Sequence, residues 1–137
     1  MKIIIVSGGF DPIHSGHIAY FKSAKSHGDK LIVALNSDAW LEKKKGKFFM
    51  PFHERKSIVE AIKYVDEVIS FEDDDKGSCI NALEAIKKSY PDEEIYFANG
   101  GGITTKHLIN GAADYTQFVV TVIVNSQSQI RIFVYLL

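Results

Sequence analysis

Ser7-Gly8-Gly9-Phe10-Asp11-Pro12-Ile13-His14-Ser15-Gly16-His17 is the stretch that decides the fold. An apolar run, Lys2 to Val6, leads into it and reads as a buried parallel strand. Ile18 to Lys25 follows it and reads as the start of a helix. Between the two, Gly8 and Gly9 predict a tight turn with close backbone approach. Asp11 before Pro12 predicts an extended kink. Gly16 clears space at the helix N-terminus, whose unpaired N–H groups and partial positive charge favour phosphate. His14 and His17 can aim their imidazoles at one anion. Histidines at this spacing also suit a metal, but the glycine between them and the strand before them favour phosphate.

Outward from this stretch, His27-Gly28-Asp29 is a helix stop, and Lys30 to Leu35 is a second buried strand. Strand, helix and strand make a βαβ unit with an expected right-handed crossover. The fold class is therefore α/β: a Rossmann-like open parallel sheet of about five strands with helices on both faces. Ligands of such sheets bind beyond the carboxyl ends of the strands, where the first loop lies. Asn36-Ser37-Asp38 closes the second strand at that edge, and Asp38 either orients a ligand or caps the next helix. Glu42 to Lys47 reads as a mobile basic stretch: a solvated loop, or the source of a lysine that neutralises developing charge.

Pro51 to Arg55 opens a helix, with Ile58, Val59, Ile62 and Val65 as its apolar stripe. Arg55 sits off that stripe in the first turn, where a structural role would favour an acid, and its fork suits bidentate phosphate recognition. Tyr64 to Ile69 passes into a third strand. The acidic run Glu72 to Asp75 reads as a solvated loop rather than a metal site. Ser78 to Tyr90 is an amphipathic helix, with Ile80, Leu83, Ala85 and Ile86 inward. Glu94 to Ala98 is a fourth strand, and Asn99, Gly100 and Gly101 after it let a ligand lie close to the backbone. Thr104 to Asn110 reads as a short helix, and Tyr115 to Val124 as a strand.

The chain has 137 residues and a net charge of −1. That suits one domain, residues 1–137, and gives no sign of a nucleic-acid or membrane partner. Its single cysteine, Cys79, excludes an internal disulfide and fits a reducing compartment. The N-terminal apolar run is too short for a signal peptide or a membrane span. A cytoplasmic protein is expected.

Gly9-Phe10-Asp11-Pro12 leading into His14-Ser15-Gly16-His17 resembles the HxGH signature of the nucleotidyltransferase superfamily. The resemblance implies coupling of a nucleoside triphosphate, ATP or CTP, to a phosphorylated small molecule, with release of pyrophosphate. Residues 53–69, HERKSIVEAIKYVDEVI, resemble the segment after the basic loop in glycerol-phosphate cytidylyltransferases and heptose-phosphate nucleotidyltransferases. By that match Arg55 contacts the triphosphate. Val33 to Asp38, Lys45-Gly46 and Phe71 to Asp74 most resemble the heptose-phosphate branch, whose members transfer AMP. A sugar phosphate acceptor is favoured, and the base stays open.

The resemblance runs to Gly101 and then departs. Relatives place Asp after the glycine pair, where this chain has Gly102 and Ile103. Asn125 to Arg131 loosely resembles the serine/threonine-rich motif that binds the β- and γ-phosphates. It implies Ser126 and Ser128 as hydroxyl donors on a helix N-terminus, with Arg131 as a further cation. A plain N-cap accounts for Ser126 as well, and Val119 to Asn125 lacks the basic residue of the relatives. The apolar end, Ile132 to Leu137, is a helix, a strand or a subunit contact, and is compatible with a homodimer.

The chemistry implied is one in-line displacement at the α-phosphorus, in which alignment and charge stabilisation do most of the work. His14 and His17 hydrogen-bond the α-phosphate and its bridging oxygen. Arg55 and one lysine among Lys43, Lys44, Lys45 and Lys47 hold the pyrophosphate, with Lys44 the catalytic candidate. Gly8, Gly9, Phe10, Asp11 and Gly16 cradle the nucleotide, and Asp11 orients a histidine or holds a metal-bound water. Asp38 and Lys45 face the acceptor, and Mg²⁺ bridges the phosphates. The divergent residues 102–137 support an alternative, a nucleotide-binding protein with lost or weak catalysis. A flavodoxin-like or metal-binding domain is a third reading, which has no use for Arg55 or the lysines.

Overall fold

The computed structural model describes residues 1–98 in full and the backbone of 99, 117–124 and 129–136. The elements run β1 (Lys2–Gly8), α1 (Ser15–Lys25), β2 (Lys30–Leu35), α2 (Asp38–Lys45), α3 (Phe52–Glu60), β3 (Glu67–Ile69), α4 (Ile80–Ser89), β4 (Glu94–Asn99), β5 (Gln117–Val124) and β6 (Gln129–Leu136). They form one sheet in the order β3-β2-β1-β4-β5-β6. The first four are parallel, with Ile3 opposite Lys30 and Ile95, and Val33 opposite Val68. The chain moves outward through β2 and β3, then returns to the other side of β1 for β4. This reversal is where Rossmann-like sheets open a crevice at their carboxyl edge.

Alternation along the strands builds two cores. Ile4, Val6, Val33 and Leu35 face Phe21 and Ala24 of α1 and Val59 of α3. Ile3, Ile5, Ile32 and Ala34 face Cys79 and Ala82, Leu83 and Ile86 of α4. Helices therefore cover both faces, as the α/β reading requires.

Four features differ from the sequence reading. The strand after β4 is antiparallel to it, and β6 is antiparallel to β5, so the parallel part of the sheet has four strands. A β-branched run fits either direction, and its direction is set by the connection rather than by composition. The basic stretch is helical: Lys43, Lys44 and Lys45 form the last turn of α2, and Gly46 closes it at φ 88°. Lysines there complement the negative end of the helix dipole. The inward stripe of α4 is Ala82-Leu83-Ile86, whereas Ile80 is 40% exposed and Ala85 also faces out. Of the expected stripe Ile58, Val59, Ile62 and Val65, only Val59 is a fully buried helical position: Ile58 is 37% exposed, and α3 ends at Glu60, before the other two.

Candidate active site

The Ser7–His17 stretch lies at the carboxyl end of β1, as read from the sequence, but its glycines work by clearance. Among these residues the left-handed backbone belongs to Phe10, at φ 50°. A Cβ on Gly9 would stand 2.5 Å from Leu41 Cδ2, so α2 packs directly on the loop. A Cβ on Gly16 would stand 2.8 Å from His14 Cε1. What approaches the helix N-terminus so closely is the first histidine itself. Phe10 is buried, its ring edge-on to Phe21 and to the His17 imidazole at centroid distances of 4.9 and 5.1 Å.

The two histidines cap α1 reciprocally. His14 Nδ1 accepts the Gly16 N–H at 3.0 Å, and His17 Nδ1 accepts the His14 N–H at 3.1 Å. These are the places that Ser or Thr and Glu fill in an ordinary capping box. A ring nitrogen that accepts an N–H carries no proton, so each neutral imidazole has its hydrogen on Nε2. Both rings line the cleft and lie 3.9 Å apart between centroids. The pair thus presents two Nε2–H donors to one place. Burial, and then the neighbouring His14, push the His17 pKa below its ordinary value and favour this neutral form.

The cleft has a volume of about 440 Å³. Of the residues singled out in the sequence, Gly8, Gly9, Phe10, Asp11, His14, His17, Lys44 and Lys45 line it. Lys44 Nζ lies 4.5 Å above the Trp40 ring, and Trp40 Nε1 donates to Gly77 O at 3.0 Å. Lys45 is committed elsewhere: it donates to Asp11 O at 2.6 Å and lies 2.7 Å from Asp11 Oδ2. The Asp11 carboxylate, wholly buried, also accepts the Phe49 and Met50 N–H groups, each at 2.6 Å. Burial alone would raise the Asp11 pKa, but Lys45 and the two amides outweigh it and hold it below the usual value. Asp11 therefore ties the loop to the end of α2, and touches neither histidine in these contacts.

Arg55 departs furthest from expectation. It is fully buried and does not line the cleft. Nε donates to Met50 O at 2.9 Å, Nη1 to Gly9 O and Asn36 O, both at 2.8 Å, and Nη2 to Asp38 Oδ1 at 2.7 Å. The guanidinium thus fastens three loops at the carboxyl edge from behind, through four of its five N–H groups. Asp38 follows from this: Ser37 is the cap of α2, accepting the Trp40 N–H at 3.0 Å, and Asp38 is spent on Arg55. Asp38 and Gly16 line no part of the cleft.

Asn36, Ser7, Trp40, Gly77 and Cys79 also line it, and sequence reading did not single them out as site residues. Their one signal was position, since Ser7 and Asn36 stand at the carboxyl ends of β1 and β2. The acidic run lines no part of the cleft and braces its neighbours instead: Asp74 accepts the Ser78 hydroxyl and the Lys76 and Ser78 N–H groups, and Ser37 Oγ donates to Asp73. Among the described residues no group of three His, Cys, Asp or Glu side chains stands ready to hold a metal. Asn99 ends β4, while Gly100, Gly101, Ser126 and Ser128 lie outside the described residues. Arg131 stands in β6 opposite Val122, so a strand follows Ser128 where the resemblance implies a helix.

Comparison with known proteins agrees with this geometry. The profile described as cytidylyltransferase-like matches residues 5–131. The chain belongs to the cytidylyltransferase-like family. It is 34% identical over 123 residues to the bifunctional protein HldE of Shigella sonnei, covering 82% of this chain and 26% of that protein. The same figures hold for HldE of Salmonella arizonae. The chain thus spans about a quarter of the length of these curated relatives. Among solved structures it is similar to the lipopolysaccharide core biosynthesis protein of Thermoplasma volcanium, at 28% identity and a TM-score of 0.55, over 64% of this chain and 69% of the other. Family membership makes the chain a nucleotidyltransferase relative of Rossmann-like fold. Among the described residues no helix is long and apolar enough to cross a membrane.

Proposed function

We propose that this cytidylyltransferase-like chain transfers AMP or CMP from a nucleoside triphosphate to a phosphorylated sugar or polyol, releasing pyrophosphate, in the cytoplasm. The observation that carries the reading is the histidine pair: two Nε2–H donors, fixed by backbone amides, converge on a cleft that also holds Lys44. Donors fixed before the reaction and aimed where phosphoryl charge grows stabilise the transition state without reorganising. The acceptor's phosphate oxygen forms a bond to the α-phosphorus as the bond to the pyrophosphate oxygen breaks. Such an oxygen is already nucleophilic, so the reaction needs alignment more than a strong base. Lys44, whose polar partner among the described residues is the face of Trp40, is the lysine able to swing onto the leaving pyrophosphate. Arg55 acts through Gly9 and Asn36 by holding the loops, not by touching phosphate.

Mg²⁺ fits this site as a companion of the triphosphate, where it offsets phosphate charge, since such ions keep water and phosphate ligands. The Asp11 carboxylate is already taken by Lys45 and two amides. The heptose-phosphate resemblance of Val33 to Asp38 supports a sugar phosphate acceptor.

A second reading, nucleotide binding with weak catalysis, is favoured by β6, which stands where the resemblance puts a phosphate-binding helix. Pyrophosphate release separates the two. ATP and CTP with Mg²⁺ are each tested against sugar, polyol and amino-alcohol phosphates. Release that requires one nucleotide and one acceptor, and is lost in His17→Ala, supports the transferase. Nucleotide-dependent thermal stabilisation without release from any pair supports binding alone.

A further inference from the structure

Asn36 is 4% exposed and lines the cleft. Its backbone is fully used: the N–H donates to Gly8 O at 2.9 Å, and the carbonyl accepts from Arg55 Nη1 at 2.8 Å. Its side-chain carboxamide makes no hydrogen bond among the described residues. A buried amide has two donor hydrogens and an acceptor oxygen, and native proteins rarely leave such a group unpaired. When they do, a ligand or water commonly completes it.

Strand alternation places this carboxamide. Ile32 and Ala34 of β2 belong to the core under α4, so Asn36, next in phase, lies on the α4 face of the sheet. Ser7 continues the same phase in β1 after Ile3 and Ile5. It lines the cleft beside Cys79, just before α4, and acts on that thiol. Burial pushes the Cys79 pKa to about 11, so the thiol stays protonated and uncharged. Ser7, Asn36 and Cys79 thus give one end of the cleft a neutral polar floor, with Lys44 near its rim.

We propose that Asn36, with Ser7 and Cys79 beside it, is the subsite that hydrogen-bonds the hydroxyl groups of the acceptor's carbon skeleton. The assignment rests on the transferase reading above for what occupies the cleft. A carboxamide matches a hydroxyl in both directions, since it accepts the O–H and donates to the oxygen. A neutral floor beside a lysine suits a ligand with hydroxyls next to a phosphate. The side of the sheet agrees. Asn36 follows β2, on one flank of β1, while the glycine segment expected to meet the nucleotide follows β4, on the other.

The test compares the wild type with Asn36→Leu and Asn36→Ala. Calorimetric titration measures binding of glycerol 3-phosphate and ribose 5-phosphate. Each is set against its deoxy counterpart, propanediol phosphate or 2-deoxyribose 5-phosphate. Expected are a preference of at least about tenfold in the wild type for a hydroxylated probe, and its loss in both variants. ATP and CTP affinity stays unchanged. Asn36→Leu melts at or above the wild-type temperature, because an unpaired amide leaves the interior. Hydroxyl preference that survives in both variants overturns the proposal. So does absence of any preference in the wild type, or a loss of nucleotide affinity in place of probe affinity. Hydroxyl-dependent probe binding that needs Asn36, without pyrophosphate release, upholds the subsite and defeats the transferase. Release that ignores both hydroxyls and Asn36 does the reverse.

Discussion

The Asp38 carboxylate receives the Arg55 guanidinium at 2.7 Å, and the arginine side chain is completely buried. Its Nε and Nη1 donate to the carbonyls of Met50, Gly9 and Asn36. A cation in such a place costs much solvation, which the carboxylate and three carbonyls offset together. Removing one partner leaves the rest uncompensated, so the pair behaves as structure.

Arg55→Ala should therefore lose about 3–5 kcal/mol of stability, a fall in melting temperature of roughly 10–20 °C. Arg55→Lys should recover little, because a single ammonium cannot span carbonyls on separate loops. Thermal denaturation with and without nucleotide checks this. A stably folded Arg55→Lys protein that has lost only triphosphate affinity would restore the phosphate-contacting role.

The two adjacent lysines should separate cleanly. Lys44 reaches the cleft from the Trp40 face, while Lys45 is pinned on Asp11. Lys44→Ala should cut kcat by about a hundredfold with the melting temperature nearly unchanged, since it removes one transition-state contact. Lys45→Ala should lower stability on the order of 1 kcal/mol, the pair being part-exposed on the lysine side. Steady-state kinetics beside melting curves decides the matter, and the reverse pattern would exchange their roles.

Acid should weaken the fold in two stages. The His17 pKa lies below 6.5 in the native chain. On acidification the unfolded chain takes up its proton first, so stability begins to fall below about pH 6.5. The Asp11 pKa lies below 3.8. Its contribution is complete above that pH and is lost as pH drops through the native value. Lys45→Met removes the ammonium and raises the native Asp11 pKa, so its acid-unfolding midpoint should move to higher pH. Circular dichroism against pH follows both stages, and an unmoved midpoint would discount the Asp11–Lys45 pair.

What the sequence disclosed follows the range over which its signals act. The apolar runs of β1 and β2 and the spacing of His14 and His17 are local signals: both strands stand where those runs put them, and the imidazoles sit at the N-terminus of α1, which begins at Ser15, three residues before the expected Ile18. Where the Arg55 fork points was not legible, because its position announces a guanidinium but its direction depends on Gly9 and Asn36, far off in sequence. Lys43 to Lys45 misled because three lysines carry no apolar period, and the helix is held by Leu41 packing on Gly9. Asn36 gave no chemical signal: an asparagine after a strand reads as a turn residue until its neighbours bury it.

Gly16 offers the sharpest separation of fold from function. In the first turn of α1, alanine has the better helix propensity, by up to about 1 kcal/mol, so Gly16→Ala should melt at or above the wild-type temperature. Yet the added Cβ would stand 2.8 Å from Cε1 and 3.0 Å from Nδ1 of His14. The imidazole must move, and its bond from the Gly16 N–H weakens as it does. The proton on His14 is then no longer confined to Nε2, and its donor leaves the position shared with His17. Turnover should fall at least about tenfold while stability holds or rises, because the loss is one of aim. Nitrogen-15 NMR of the histidine rings supplies the independent readout. In the wild type both Nδ1 atoms should show the shift of an unprotonated acceptor, and in Gly16→Ala the His14 signal alone should move toward tautomer averaging. Full activity with both rings unchanged would mean that the backbone amides do not set the tautomer.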